Sequence, residues 1–263
     1  MTAIIPNLVS LPAPAGIFYF LLLLTLPLHL LMMNAMMGSS IISIYQHFRR
    51  GEQSRELSHL IAKFLPLTIA FTVNFGIAPF LFLQVLYGNY IYVSSIMMGA
   101  FWIAIYLLLI VAYYAGYLYD FKFQSLGRIA VWVLSLSVLL FLVIAFLFTN
   151  NMTLMLSPDK WIRFFSNSGG TLLNMDEGSL IPRLLHFILA SVAVGGLFVA
   201  LLGKMVTKKD PNLAEKAEKC GMKAFLVFTA IQMGIGIWFL LALPRDTMMV
   251  FMGGNMIATI LFG

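Results

Sequence analysis

From Ile129 to Thr149 the chain runs without one Asp, Glu, Lys or Arg, and six other stretches do the same. They are Gly16–Gln46, Phe64–Gly88, Tyr90–Tyr119, Leu184–Gly203, Ala224–Leu243 and Thr247–Gly263. A hydrocarbon core about 30 Å thick is crossed by about 20 apolar helical residues. In lipid every backbone N–H and C=O must be paired within the structure, which leaves such stretches little choice but the α-helix. The expectation is an all-α, polytopic transmembrane bundle of about seven spans, one domain over residues 1–263 with no room for a second, soluble one. Composition agrees: 61% of residues are hydrophobic and 10% charged, against roughly 45–50% and 25% in soluble domains.

The net charge of +6 would suit a nucleic-acid partner if the basic residues shared one face. They alternate loop by loop instead. Arg49, Arg50, Arg55 and Lys63 follow span one, and Lys122 and Arg128 follow span three. Lys204, Lys208, Lys209, Lys216, Lys219 and Lys223 follow span five, while only Lys160, Arg163, Arg183 and Arg245 fall in the other loops. Twelve against four is the positive-inside pattern, with the N-terminus outside and no nucleic-acid partner implied. The first residues lack the basic region of a signal peptide, so span one is read as retained. The single Cys220, expected in a cytosolic loop, forms no internal disulfide, and without a C-x-x-C-H the chain attaches no c-type haem covalently.

Tight outer turns are expected at "YGNY" between spans two and three and at "LPRDT" between spans six and seven. The one long extracytoplasmic loop, residues 150–183, contains "SPDKWIRFF". There Ser157 reads as a cap, Pro158 as the first helical residue, and Trp161, Phe164 and Phe165 as one face of a short interfacial helix, either a lid or an aromatic anchor. On the other side "DPNLAEKAEKC" reads as a capped helix extending span five, with a Glu215–Lys219 pair. Ala193, Gly195, Gly196, Gly234 and Gly236 allow either close helix contact or a flat macrocycle.

No ionisable Asp, Glu, Lys or Arg lies within a span, which counts against ion-coupled transporters, proton pumps and voltage sensors. The intramembrane polar residues include two of the four histidines, His29 and His186. A buried imidazole needs partners for its nitrogens. Iron is one, with the other N–H left to a carbonyl or water; a bond to a neighbouring helix is the plainer alternative. His186 sits on the order of 5–10 Å into span five, and Met252 enters span seven from the same side to a similar depth. A histidine and a methionine at one level can hold one haem iron axially, although with 17 methionines in the chain Met252 also reads as plain packing. His29 allows a second haem site in the outer half.

The order of these elements resembles the N-terminal part of subunit I of the cytochrome bd quinol oxidases. The likeness rests on "LPLHLLMMNAMMG" on span one, "VNFGIAPFLFLQVLYGNYIYVSS", "RLLHFILASVAVGG" opening span five, and "MMVFMGG" on span seven. It covers nearly the whole chain through individually weak motifs. It implies that His186 and Met252 resemble the axial ligands of the b-type haem that takes electrons from quinol, and that His29 resembles the histidine serving the family's haem pair. The departures are as clear. Span three lacks the family's acidic residues, the large quinol-binding loop is reduced to "LPRDT", and the later helices are absent, so the natural protein is expected to continue past Gly263.

With no proton route, the expectation is a haem-b electron-transfer subunit rather than an oxygen reductase. It would exchange electrons between quinone or quinol and other subunits, such as a multihaem c-type cytochrome, in a bacterial or archaeal cytoplasmic membrane. The alternative is a haem-free anchor or scaffold for a larger complex.

Overall fold

The structure, a computed structural model, describes residues 5–6, 10–11, 13–49 and 51–262. Six helices are long and apolar enough to cross a membrane: α1 (Ala15–Arg49), α2 (Glu52–Met97), α3 (Gly99–Phe121), α4 (Ala130–Met155), α5 (Leu180–Val206) and α6 (Pro211–Leu241). Helical turns at Phe123–Leu126 and Gly127–Ile129 lead into α4. The membrane-protein reading holds for these six, whose outward faces carry exposed large apolar residues such as Phe20, Leu23, Tyr106 and Leu201.

The seventh expected span is not one helix. Residues after Pro244 form a short α7 (Arg245–Met249), a π turn (Val250–Gly254) and a short α8 (Met256–Phe262). Gly253 adopts φ 106°, which a side chain would strain, and Met252 beside it leaves helical geometry. The Thr259 hydroxyl then closes the turn, accepting from the Gly253 N–H at 3.0 Å and donating to the Asn255 carbonyl at 2.8 Å. The sequence Gly-Gly-Asn outweighs the apolar residues around it.

Three boundaries also differ from expectation. The chain does not turn at "YGNY": α2 runs through Gly88 and Asn89 with only a kink at Tyr87, and turns at Met98. Its far end is needed there, because Met97 and Met98 pack with Leu154, Trp161 and Leu172 in the layer that covers this end of the bundle. "DPNLAEKAEKC" opens α6 rather than extending α5; Asp210 caps it by accepting from the Leu213 N–H at 2.9 Å, and Cys220 is half-buried inside it. Pro158–Ser166 is a 3₁₀ helix. At three residues per turn Phe164 stays on the Trp161 side while Phe165 swings out, and Trp161 is 2% and Phe165 79% exposed. Ser157 does not cap it; its hydroxyl donates to the Thr153 carbonyl.

Packing places α1, α2, α6 and α5 in a ring, with α3 and α4 outside against α2 and α1. Two glycine contacts set the ring's closest approaches. Gly195 of α5 meets Gly38 of α1, and the adjacent Gly196 meets Gly221 of α6, in each case backbone against backbone with no space for a Cβ. The consecutive glycines thus serve one neighbour each, which is the helix-contact role and leaves Gly195 and Gly196 unavailable to a macrocycle.

One end of the bundle is basic. Arg55 donates to Gln124 at 3.0 Å, Lys216 to Ser54 at 2.7 Å, and Gln46 to Cys220 at 2.9 Å, so the loops after α1, α3 and α5 meet there. Lys160 and Arg163 lie at the other end, tied to Glu177 and Asp176.

Candidate functional site: two histidine seams

His29 stands on α1 against α2. Its Nδ1 is 2.9 Å from the Thr72 carbonyl, to which it donates, and its ring lies over Gly76, where an added Cβ would come within 2.8 Å of the imidazole. The carbonyl is available because α2 presents it toward α1, and Gly76 is the only residue type that lets the ring lie so close. With Nδ1 carrying the proton, Nε2 keeps its lone pair.

His186 stands on α5 against α6. Its Nε2 is 3.2 Å from the Gln232 side-chain amide, and its ring lies 3.4 Å from where a Cβ on Gly236 would sit. Nδ1 is buried without a partner. If the amide nitrogen donates, Nδ1 carries the proton; if the amide is turned over, Nε2–H donates to Oε1 and Nδ1 is a bare lone pair. Either way one buried nitrogen is unsatisfied, a state that costs about 1–3 kcal/mol.

The same seam holds two more unpartnered buried atoms, Gln232 Oε1 and Arg183 Nε. Arg183 lies one turn before His186. Its guanidinium stacks 4.8 Å from the Phe239 ring, Nη1 reaches Met152 Sδ at 3.1 Å, and Phe239 is 5.9 Å from the imidazole. Such a cluster can receive an anionic or polar group: Arg183 offers a donor, Gln232 an acceptor, and His186 a nitrogen of either kind.

The two seams share a depth. α1 and α5 run in the same direction, with Gly38 opposite Ser191 and Gly195. His29 lies nine residues before that contact and His186 five to nine, about 14 Å and about 8–14 Å of helix. Met252, the third expected ligand, is not brought to His186. It is 54% exposed in the π turn, which packs chiefly on α7 and α8. Gly234 faces open space, and Gly253 likewise.

Among the described residues no three His, Cys, Asp or Glu side chains converge as a metal site. A prosthetic group that brings four equatorial donors of its own asks for only one or two side chains, and these seams can provide them. Two open grooves lie away from the imidazoles. One, about 730 Å³ between α2 and α3, is lined by Asn74, Tyr113, Tyr114 and Tyr117 among apolar residues.

Sequence reading did not find Arg183, Gln232, Thr72 or Gly76, nor a buried cluster at the basic end. There the Tyr119 hydroxyl meets Ser43 at 2.8 Å and His47 Nε2 at 3.0 Å, while His59 stacks on Phe123 at 4.7 Å. Polar residues at the ends of adjacent apolar runs are the only clue to this cluster in the sequence. No family model, no curated protein and no solved structure matches the chain.

Proposed function

We propose that the chain is a haem-b-binding membrane subunit that passes electrons between the quinol pool and a partner redox protein. The observation that carries this reading is the pair of imidazoles at one depth, each with a nitrogen that a ligand can use. His29 fits as it stands: an N–H held by a backbone carbonyl and a free Nε2 is the usual orientation of an iron-binding histidine. His186 fits with one change, Nε2 taking the iron in place of Gln232 and Nδ1–H remaining the ring's donor. Arg183 would meet a haem carboxylate with its unpartnered Nε–H. A bound haem would supply one-electron chemistry; the chain's own residues hold it, orient it and keep water from it.

The twelve basic residues that follow the first, third and fifth apolar stretches favour the basic end facing the cytosol, with the N-terminus and both histidines toward the outer side. A partner such as a multihaem cytochrome would then dock outside. The α2–α3 groove suits a quinone: apolar walls for the ring and tail, with Asn74 and tyrosine hydroxyls for its oxygens. Ala70, Val73 and Asn74 of α2 line that groove while Thr72 and Gly76 orient His29, so groove and imidazole are separated by about one helix diameter, roughly 10 Å.

The test is optical. Protein purified after haem-replete expression is expected to give a Soret band, a b-type pyridine haemochrome and a redox difference spectrum. A preparation that folds with no Soret band overturns the reading and leaves the scaffold alternative.

A further inference from the structure

At the basic end, between α1, α5 and α6, lies an open cavity of about 700 Å³ that the electron-transfer reading does not use. Its α6 wall changes character along one face. Lys216, Lys219 and Lys223 recur at i, i+3 and i+7, and Ala224, Val227 and Phe228 continue the wall deeper. The α1 wall makes the same change, from Arg49 and Gln46 at the mouth to Ile42 and Ile41 within, and Val192 of α5 lies behind. From Lys216 to Phe228 this is about 18 Å of helix. Two independent walls therefore place cations at one level and hydrocarbon at the next, as a phospholipid phosphate and its acyl chains require.

The charges are not consumed within the protein. Four cations face one carboxylate, Glu215, which pairs with Lys219. Among the described residues Arg49 donates to Tyr45 and Lys216 to the neutral Ser54 hydroxyl, and neither is paired with a carboxylate. At the mouth Gln46 is 3% exposed; its Nε2 donates to Cys220 Sγ, and its Oε1 is buried with no donor among the described residues. A headgroup hydroxyl is the complement of that oxygen. A plain cationic surface would lack both the apolar shaft and the unpaired acceptor.

We infer that this cavity binds an anionic phospholipid with a hydroxyl-bearing headgroup, its phosphate among Arg49, Lys216 and Lys223 and its acyl chains against Val227 and Phe228. Basic pockets between membrane helices on the cytosolic side have this chemistry. The whole protein, purified in detergent, is mixed with phosphatidylglycerol or phosphatidylcholine and read by native mass spectrometry and thermal shift.

Phosphatidylglycerol is expected to be retained at least about tenfold over phosphatidylcholine. Arg49→Gln with Lys216→Gln and Lys223→Gln should abolish the preference, while Lys208→Gln with Lys209→Gln, at the same end but outside the cavity, should keep it. Val227→Trp, which narrows the shaft at a half-exposed position with every charge intact, should also weaken retention. Equal retention of the two lipids overturns the proposal, as does an equal loss in the Lys208/Lys209 control. Displacement of the lipid by equimolar inorganic phosphate, or full retention in Val227→Trp, would show a headgroup-only site and overturn it too.

Discussion

His29 and His186 lie at one depth of the same four-helix ring, yet one is oriented by backbone and the other by side chains. The Thr72 carbonyl cannot rotate away from His29 without unwinding α2, and Gly76 fixes the plane of the ring. Gln232 can turn over or withdraw, and Arg183 beside it is held by stacking on Phe239 and by the Met152 thioether rather than by a backbone group. The first seam is therefore preorganised for one ligand geometry. The second holds three buried polar atoms without a protein partner, His186 Nδ1, Gln232 Oε1 and Arg183 Nε. The difference predicts that the His29 seam is sensitive to backbone-proximal changes and the His186 seam to the state of its ligand.

The largest effect separates the seams outright. His29→Ala and His186→Ala should each remove one spectral component and leave the other, so that the double variant is colourless. Loss of both components from either single variant would mean that the seams are not two sites. Met252→Ala belongs to the same experiment. From its exposed position in the π turn it should leave haem content and midpoint potential unchanged. A fall in potential would require the turn to refold so that Met252 reaches the iron, restoring the expectation drawn from the sequence.

Gly76→Ala tests the backbone-set seam. The new methyl would sit 2.8 Å from Cε1 of His29, so either the ring or α2 must shift. Overpacking of this kind costs about 1–3 kcal/mol. The expected readout is a lower Tm together with a change in the His29 spectral component, the His186 component staying as it was. Equal perturbation of both would tie the seams to one cofactor.

How much of this was legible follows from which contacts are local. Lipid leaves an apolar run no alternative to the helix, so the six long spans could be drawn from charge-free stretches alone. The seventh failed because Gly253, Gly254 and Asn255 act on the backbone, which hydropathy does not register. "YGNY" has turn residues but lies inside a helix, because Met97 further on is packed with Trp161 and Leu172, its carbonyl accepting from the Leu172 N–H. The identity of His29 and His186 as candidates came from their scarcity in apolar surroundings. Their orienting partners did not, since Thr72 is 43 residues from His29 and Gln232 is 46 from His186. Only the packing of α1 on α2 and of α5 on α6, set by glycines at particular registers, brings them together.

Gln232→Leu sharpens the comparison at the second seam. If Gln232 is the resident partner of His186, its loss leaves both imidazole nitrogens unsatisfied, and stability should fall by about 1–3 kcal/mol. If iron takes Nε2, that loss appears only in haem-depleted protein, and the loaded protein is nearly indifferent. The expected result is the second: a Tm difference between loaded and depleted protein that is wider in the variant than in the wild type. An equal drop in both forms would make Gln232 a structural partner and remove His186 from the ligand set.

The smallest effect lies outside the ring, in the layer that covers the end opposite the basic one. Arg163 donates to both oxygens of Asp176, at 3.0 and 2.7 Å, and Lys160 stands 3.6 Å away. The Arg163 hydrogen bonds hold the Asp176 carboxyl well below the usual carboxylate range. A depressed folded-state pKa gives stability that is fully present above the unfolded value, near 3.9, and is lost as pH falls through the folded one. Both partners are exposed, so solvent screens most of the interaction. Asp176→Asn should therefore loosen only the 158–179 segment, seen as faster amide exchange there at neutral pH with no change in exchange within the ring. The wild type should approach the variant below about pH 4 and not above it. Spectra of the two histidine seams should be the same in variant and wild type throughout, because Trp161 anchors this layer through its Nε1–H bond to the Leu154 carbonyl independently of the ion pair. A spectral shift in Asp176→Asn would instead couple this layer to the ring.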